Sequence, residues 1–357
     1  MKVLIHKAHE FNFNKKIIIK DLSLLRVIRH EILIMYNVSI SDWMTAIIPP
    51  IFMAIGALYM RTFSSIATYD GEFLEIILHI IFPDLFCIII YFTHSLMFFN
   101  WFSQISSVEE DRINKPFRPI PSGLITIRDA KHRLVAISFI FPVTAYMIGG
   151  LPLLFLCFMW QAWVIFNEVL KLGKNAFYKN FFSAFGTWIQ LVGSYYIIIG
   201  TNLKIFELLN SELNIFKLGI CFFVMTTAQV QDLRDQKGDK FVGRKTLPLL
   251  IGDNICRWFT ILMLIISLLV IRYISNNFLQ LIVEKNFEAN INNGFVPYEF
   301  GIIEFILVAL NVSSCIRLFI YRQPKQDNIT YQRWYGGFYC MLFLYYGMRI
   351  NEHIKLE

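Results

Sequence analysis

Residues 133–168 read RLVAISFIFPVTAYMIGGLPLLFLCFMWQAWVIFNE, and charged side chains occur only at the two ends, at Arg133 and Glu168. Gly149-Gly150-Leu151-Pro152 divides the stretch into two apolar runs, and this combination of Gly and Pro is typical of a tight turn. A helix needs roughly 20 mostly apolar residues to cross a bilayer, and each run approaches that length. The stretch therefore predicts two membrane-spanning helices joined as a hairpin.

The composition of the whole chain agrees with this interpretation. Of its 357 residues, 56% are hydrophobic and 17% are charged, whereas soluble globular proteins have about 45–50% apolar and about 25% charged residues. The mean hydropathy is +0.53. These values exclude a soluble domain and a disordered chain, which needs low hydrophobicity and high charge. The six cysteines form no Cys-x-x-Cys pair, so we interpret them as buried apolar residues and not as a metal or disulfide framework.

Apolar stretches of similar length recur along the chain. We predict an all-α membrane protein with nine transmembrane helices in one bundle, because nine stretches approach the spanning length. The predicted spans are 42–63, 77–100, 133–149, 151–168, 180–200, 214–231, 256–274, 301–321 and 334–350. The predicted domains are a basic cytosolic arm (1–40), the nine-helix catalytic domain (41–350) and a C-terminal tail (351–357). The stretch 280–300 is predicted as a loop because it carries Glu284, Lys285, Glu288 and several Asn.

Basic residues fix the predicted orientation. The N-terminal arm and the loops 101–133, 169–179, 231–257 and 317–333 carry 26 of the 33 Lys and Arg. The positive-inside rule places these segments in the cytosol, and we expect an integral protein of the endoplasmic reticulum or another endomembrane. A nucleic-acid partner is not expected, since it would require a basic face on a soluble surface. The sequence makes no prediction about the oligomeric state.

An acidic segment follows the second predicted span. If that span continues as one helix, Asn100, Gln104, Ser107 and Asp111 fall on a single face, with Glu110 beside them. A polar stripe at the end of an apolar helix is expected to face a cavity and not lipid. The helix should end at Lys115, because Pro116 follows.

A second acidic segment follows the sixth predicted span. Asp232, Asp235 and Asp239 are spaced i, i+3 and i+7, which places three carboxylates on one helical face, where like charges repel. A hard divalent cation would relieve the repulsion, and Mg²⁺ typically bridges one or two carboxylates to substrate phosphates. The alternative is that both segments are ordinary solvated loops at the membrane surface. Cations that could pair with phosphate charge are Lys115, Arg118, Lys171, Lys174, Arg244 and Lys245.

Both acidic segments resemble the motifs of a known family. Asp111-Arg-Ile-Asn-Lys-Pro-x-Arg118-Pro-Ile-Pro-Ser-Gly is similar to the first motif of the UbiA superfamily of intramembrane prenyltransferases, and Asp232-x-x-Asp235-x-x-Gly-Asp239 looks like its second motif. The resemblance covers nearly the whole chain after about residue 30. It implies a helical bundle around a central cavity. An isoprenyl diphosphate would lie there with its head at the cytosolic side, held by two Mg²⁺ between the motifs.

The first motif departs from the family pattern. Its usual form is Asn-Asp-x-x-Asp-x-x-x-Asp, and the earlier positions here hold Ser103, Gln104 and Ser107. The resemblance then implies three catalytic residues, Asp111, Asp235 and Asp239. The implied metal ligands are Gln104, Glu110, Asp111, Asp232, Asp235 and Asp239. The implied diphosphate-binding residues are Asn114, Lys115, Arg118, Lys171 and Lys245.

The altered first motif looks like a fungal-type branch of the superfamily that includes membrane-bound terpene cyclases. Our leading hypothesis is a cyclase that ionises farnesyl or geranylgeranyl diphosphate with Mg²⁺ and closes rings within the allylic carbocation. The alternatives are prenyl transfer to an aromatic or lipid acceptor, and a non-enzymatic transporter or scaffold. Polar residues within spans tend to face the bundle interior, and those predicted to do so are Gln161, Asn167, Glu168, Gln190 and Gln229.

Overall fold

The computed structural model describes residues 24–66, 82–199, 213–285 and 298–354. Across these ranges the chain is helical and forms no β-strand. It divides into two compact units, residues 1–36 and 37–357; the first is helical where it is described, and the features below belong to the second. The helices are α1 (Leu24–Ser39), α2 (Trp43–Ala46), α3 (Ile48–Ile66), α4 (Phe82–Ser106), α5 (Val108–Asn114), α6 (Ile127–Val169), α7 (Ala176–Ile199), α8 (Leu213–Thr227), α9 (Val230–Phe241), α10 (Leu247–Ile251), α11 (Asp253–Lys285), α12 (Tyr298–Ile320), α13 (Pro324–Ile329) and α14 (Gly336–Ile354).

Several of these helices are suited to a bilayer. Five segments in the described ranges are long and apolar enough to cross a membrane: Pro83–Ser106, Ile127–Val169, Ala176–Ile199, Asp253–Ile274 and Gly301–Ile320. The predicted class, an all-helical membrane protein, is therefore confirmed. Helices α3, α8 and α14 overlap three further predicted spans. The start of the span predicted at 77–100 lies outside the described residues.

The long helix α6 contains the hairpin predicted at Gly149-Gly150. Gly149 and Gly150 leave the helical conformation, and Gly150 has φ 60° and ψ −149°, a region open essentially only to glycine. The side-chain amide of Gln161 donates to the carbonyl oxygen of Ser138 at 3.2 Å. In a straight helix, two residues so far apart in sequence would lie about 35 Å from each other. The chain therefore reverses at the glycine pair, as predicted.

The first acidic segment does not continue α4 as one helix, so that prediction is wrong. Ser107 has φ −119° and ψ 27°, and it separates α4 from α5. The hydroxyl of Ser107 donates to the carbonyl oxygen of Ser103 at 2.7 Å, and the hydroxyl oxygen of Ser106 lies 2.9 Å from the same carbonyl. Such local side-chain bonds compete with the helical hydrogen bonds of the backbone. The predicted end before Pro116 is confirmed, because α5 stops at Asn114.

The second acidic segment is also a separate helix. Helix α8 ends at Thr227 and not at residue 231 as predicted, and α9 then carries the three aspartates. At the junction Thr227 donates its hydroxyl to the carbonyl of Phe223 at 2.5 Å, and the Gln229 amide donates to the carbonyl of Thr226 at 2.6 Å.

Helix α11 continues to Lys285, so the loop predicted at 280–300 begins later than expected. Residues 286–297 of that loop lie outside the described ranges.

Close helix packing brings α3 and α14 together. A Cβ atom added at Gly347 would collide with the backbone of Met53, and one added at Gly56 would collide with the backbone of Leu344. Small residues allow such close approach between helices in membranes. Helix α6 packs on α4 and α7, while α8 packs on α7 and α11. These contacts surround the cavity described next.

Candidate active site

A cavity of about 240 Å³ lies among α2, α4 to α9, the π-helical turn Thr330–Tyr335 and α14. One end, which we call the mouth, is lined by charged residues of α5, α9 and the adjoining loops, and the rest, the chamber, is mainly apolar and aromatic. Along α7 the lining residues extend from Lys179 to Gln190. Because a helix rises 1.5 Å per residue, this separation gives the cavity a depth of about 16 Å.

The first acidic segment contributes Glu110 and Asp111 to the mouth. Both carboxylate oxygens of Asp111 accept from Nη1 of Arg118, at 3.0 and 2.9 Å. The Nη2 atom of Arg118 donates to Asp42 at 3.2 Å. All three side chains are buried, so one guanidinium hydrogen-bonds two carboxylates that would be costly to bury alone, and it balances one of their two negative charges. No sequence pattern indicates Asp42, which lies far from both motifs in the chain.

Arg244 joins the two acidic segments. Its Nη2 atom lies 2.7 Å from Oε2 of Glu110, and its Nη1 atom lies 3.5 Å from Oδ1 of Asp239. Burial raises the pKa of Glu110, and the pull of Arg244 in the opposite direction is weaker. Burial likewise raises the pKa of Asp239 against the effect of Lys179 and Arg244. A second cation beside Arg244 would stabilise the ionised forms of both Glu110 and Asp239.

The three aspartates of α9 have different surroundings. Asp235 lines the cavity and pairs with Nε of Arg234 at 3.3 Å. Burial favours a raised pKa for Asp235, but Arg234 and Lys115 outweigh it and leave the pKa lowered. Asp232 pairs with the ammonium of Lys179. Asp232 and Asp239 are fully buried and are not among the residues that line the cavity.

Asn114 connects the two acidic helices. Its side-chain amide donates to the carbonyl oxygen of Asp235 at 3.1 Å, and its side-chain oxygen accepts from the backbone N–H of Gly238 at 3.0 Å. A Cβ atom at Gly238 would collide with this carboxamide. The structure therefore places Asn114, predicted to bind diphosphate, in the joint between α5 and α9 and not in the cavity lining.

The predicted ligand Gln104 lies behind the mouth. Its amide nitrogen donates to the carbonyl oxygen of Val38 at 2.8 Å, and Asn100 donates to the same oxygen at 3.0 Å. Gln104 is fully buried and does not line the cavity. Its Oε1 atom has no hydrogen-bond partner in the described structure.

The predicted cations also separate into two groups. Lys115 and Arg118 line the mouth. Lys171 and Lys245 are exposed and lie outside the lining. The backbone of Lys245 donates to Lys174 O at 2.7 Å and accepts from Ala176 at 3.0 Å, which ties the start of α7 to the loop after α9.

Lys179 is a site residue that the motifs do not indicate. It belongs to a predicted cytosolic loop, but α7 begins at Ala176, four residues before the predicted span. Lys179 therefore sits on the first turn of α7 and lines the cavity. The signal available in the sequence was its position about one helical turn before an apolar run. Glu168 also lines the cavity, as expected for a polar residue at the end of a span.

The chamber has aromatic walls. Phe99, Trp160 and Phe182 form a cluster with ring centroids 5.6 to 6.1 Å apart, and all three line the cavity. Deeper, the hydroxyl of Tyr339 donates to Oε1 of Gln190 at 3.0 Å and lies 2.8 Å from the hydroxyl of Thr187. Aromatic faces attract cations, with energies of about 2 kcal/mol or more away from water. The chamber can thus surround a positive charge without offering it a strong nucleophile.

The carboxylates fit a metal ion only in combination with another ligand. In the described part of the chain, no three Asp, Glu, His or Cys side chains converge as a ready metal centre. Both oxygens of Asp239 and the Oδ2 atom of Asp232 are nevertheless buried and accept no hydrogen bond. Mg²⁺ commonly uses one or two carboxylates together with phosphate oxygens. The donor set therefore fits Mg²⁺ shared with a phosphate group and does not fit an ion held by protein alone.

The fold and the site define a helical membrane protein with a charged cavity mouth over an aromatic chamber. Residues 73–283 match the model of the UbiA prenyltransferase family. A polyprenyl transferase from Hericium erinaceus is 34% identical over 227 residues, which are 63% of this chain and 71% of that protein. A diterpene cyclase from the same organism is 35% identical over 234 residues, which are 65% of this chain and 68% of that protein.

A solved structure shows the same fold. A UbiA homologue from Archaeoglobus fulgidus bound to GPP and Mg²⁺ superposes with a TM-score of 0.55, covering 89% of this chain and 99% of that chain at 14% sequence identity. The chain belongs to the UbiA prenyltransferase family. The resemblance of its motifs is thereby confirmed, as is the prediction of an integral membrane enzyme of the UbiA type.

Proposed function

We propose that this protein is a membrane-bound terpene cyclase that ionises farnesyl or geranylgeranyl diphosphate and releases pyrophosphate. The observation that carries the proposal is the convergence of both acidic segments and four cations at the mouth of an aromatic chamber. The similarity to a diterpene cyclase over two thirds of the chain supports it. The depth of about 16 Å along α7 suits a linear isoprenyl chain. The cations are Lys115, Arg118, Lys179 and Arg244.

At the mouth, the chain binds and orients the diphosphate. Lys115, Arg118 and Lys179 donate to phosphate oxygens, because charge-assisted hydrogen bonds to phosphate are stronger than neutral ones. Asp111 and Asp235 face the same space from opposite segments, and they would hold Mg²⁺ together with the phosphates. Asp239 and Glu110 support this arrangement through Arg244. Bound Mg²⁺ would supply electrostatic stabilisation of the leaving pyrophosphate.

In the chamber, the chain protects the carbocation. The cluster of Phe99, Trp160 and Phe182 excludes water from the allylic cation, which water would otherwise capture. The same ring faces stabilise the positive charge as it moves during ring closure. No acceptor is required, because the attacking electrons come from the double bonds of the substrate itself.

For the membrane arrangement we propose the full nine-span bundle. The two arms of α6 would each cross the bilayer, and α3, α8 and α14 would complete the count. The mouth and the N-terminal arm (1–40) would face the cytosol, as the distribution of Lys and Arg indicates, and residues 41–350 would form the catalytic domain. The compartment would be the endoplasmic reticulum or another endomembrane. Protease protection of tags placed at residue 1 and in the loop 286–297 tests this orientation.

Transfer of the prenyl group to an aromatic or lipid acceptor is the second candidate. It is favoured by the similarity to a polyprenyl transferase, of which the chain covers 71%. The diphosphate site and the ionisation step would be the same. The difference would lie in the group that attacks the allylic carbon.

Product analysis distinguishes these functions. The purified protein in nanodiscs is supplied with Mg²⁺ and either farnesyl or geranylgeranyl diphosphate, with and without a membrane-lipid extract as the source of acceptor. A cyclase gives an apolar cyclic product in the absence of the extract. Turnover that strictly requires the extract supports transfer, and no turnover under any condition contradicts both. Treatment with EDTA should stop the reaction, and added Mg²⁺ should restore it.

A further inference from the structure

Both candidate reactions require a base, and the diphosphate chemistry shows why. When the C1–O bond breaks, its electron pair leaves with pyrophosphate and an allylic cation remains. Cyclisation forms carbon–carbon bonds from double-bond electrons, and it ends when a C–H bond gives its electrons to a new double bond and loses a proton. In transfer to a hydroxyl group, a C1–O bond forms and the hydroxyl proton is lost. One proton must leave in either case.

Four of the five carboxylates that line the cavity are poor candidates for that base. Asp42 and Asp111 pair with Arg118, at 3.2 and 2.9 Å. Glu110 pairs with Arg244 at 2.7 Å, and Asp235 pairs with Arg234 at 3.3 Å. Protonating any of these four carboxylates would break an ion pair and leave a largely buried guanidinium without its partner, which is costly. These four groups are also the ones that surround the diphosphate site.

Glu168 is the fifth carboxylate, and its surroundings differ. Its Oε2 atom accepts from the hydroxyl of Ser106 at 2.5 Å, and its Oε1 atom accepts from the amide of Asn167 at 3.2 Å. Among the described residues it has no ion pair within 4.0 Å. Two neutral donors from α4 and α6 therefore hold the side chain in place, and accepting a proton would break no ion pair.

The position of Glu168 suits proton removal near C1. It lies at the end of the second arm of α6 and lines the cavity, about two helical turns from Trp160, a separation of roughly 12 Å. Ring closure at C1 joins a distant double bond to the carbon that carried the diphosphate, so the cyclised skeleton returns to the mouth. An acceptor hydroxyl attacking C1 would approach the same place.

We propose that Glu168 is the catalytic residue that accepts the proton released at the end of the reaction. This inference rests on the proposed function, since it requires that an isoprenyl diphosphate is ionised in the cavity. Ser106 and Asn167 act as positioning residues, because they touch the carboxylate and hold it toward the chamber. Half-buried at the mouth, Glu168 can then pass the proton to solvent.

The test compares Glu168→Gln, Glu168→Asp and Glu109→Gln. Glu109 is a matched control: it belongs to the same end of the molecule, its side chain is 63% exposed and it pairs with Arg112, outside the cavity. Turnover and products are measured with farnesyl and geranylgeranyl diphosphate, and binding of Mg²⁺ and pyrophosphate is measured by calorimetry. Removing a general base typically costs about 10²- to 10⁴-fold in rate.

Glu168→Gln is expected to lower kcat by at least about 10²-fold while Mg²⁺–pyrophosphate affinity stays within about twofold of wild type. The residual product should shift from hydrocarbon to alcohol, because an unquenched cation is captured by water. Glu168→Asp should recover part of kcat, and Glu109→Gln should match the wild type. Loss of pyrophosphate affinity in Glu168→Gln would assign the residue to substrate binding and overturn the inference. Normal turnover by Glu168→Gln would overturn the inference alone, whereas no diphosphate turnover by the wild type would overturn the proposed function as well.

Discussion

The two acidic segments at the mouth differ in what their carboxylates face. In α5, Glu110 and Asp111 both line the cavity, and arginines from outside that helix neutralise them. In α9, Asp235 lines the cavity, but Asp232 and Asp239 are fully buried behind it. The two acidic segments therefore differ in role. Glu110 and Asp111 of α5 face the cavity, whereas two of the three aspartates of α9 are buried within the protein behind it. A carboxylate at the cavity is expected to control activity, and one behind it is expected to control stability.

The largest expected effect is on activity, from Asp235→Asn. The variant removes the charge that α9 presents to the diphosphate site, while Arg234 keeps its hydrogen bond to Asn328 and its position 4.5 Å from the centre of the Tyr331 ring. We expect kcat/KM to fall by about 10³-fold, in line with the loss of one strong electrostatic contact to a transition state. Steady-state release of pyrophosphate measures the effect. A reduction of less than tenfold with an unchanged melting temperature would contradict an active-site role.

Asp232→Asn should mainly lower stability. It leaves the ammonium of Lys179 without its carboxylate partner, and breaking a buried pair on one side costs about 3–5 kcal/mol. The free energy of unfolding in mixed micelles measures this cost. The double variant Asp232→Asn/Lys179→Met removes both charges and should recover most of the loss. If the single variant unfolds like the wild type, Asp232 is not part of the framework.

Asn114→Ala tests the joint between the two segments. The variant removes two hydrogen bonds to α9, at a cost of about 1–3 kcal/mol. Gly238→Ala should cost a similar amount, because its Cβ would displace the same carboxamide. The double variant should cost little more than either single one, since residues in contact are not additive. Full additivity in a double-mutant cycle would show that the joint does not act as one unit.

Tyr339→Phe should have the smallest effect, and it would appear in the products. The variant keeps the ring and removes a hydroxyl that bonds Gln190, so we expect a change in rate of about three- to tenfold, corresponding to roughly 0.5–1.5 kcal/mol. The ratio of cyclic products, measured by gas chromatography, should also change. Tyr346→Phe is the control, since Tyr346 lies on the same helix, is fully buried and does not line the cavity. Equal product ratios in the two variants would contradict a role for the Tyr339 hydroxyl in ring closure.

Much of the site could be predicted from local patterns, while the errors have one local cause and one long-range cause. The helical spacing of the three aspartates and the stop before Pro116 follow from backbone geometry, and both are found in the structure. The continuous helix through Ser107 was wrong, because hydroxyl bonds to the carbonyl of Ser103 compete with helix propagation. Gln104, predicted as a metal ligand, instead donates to the carbonyl of Val38. No spacing rule could indicate this contact.

The sequence by itself determined that this chain is a helical membrane protein, that it reverses at Gly149-Gly150, and that acids and cations collect near the ends of particular helices. Those features depend on composition and on periods of a few residues. The tertiary structure alone decided which of those acids reach the cavity, that Asp42 and Lys179 join them, and that Glu168 has no ion pair with any described residue. These depend on contacts between residues distant in sequence, because a carboxylate takes its neighbours from whichever helices pack against it.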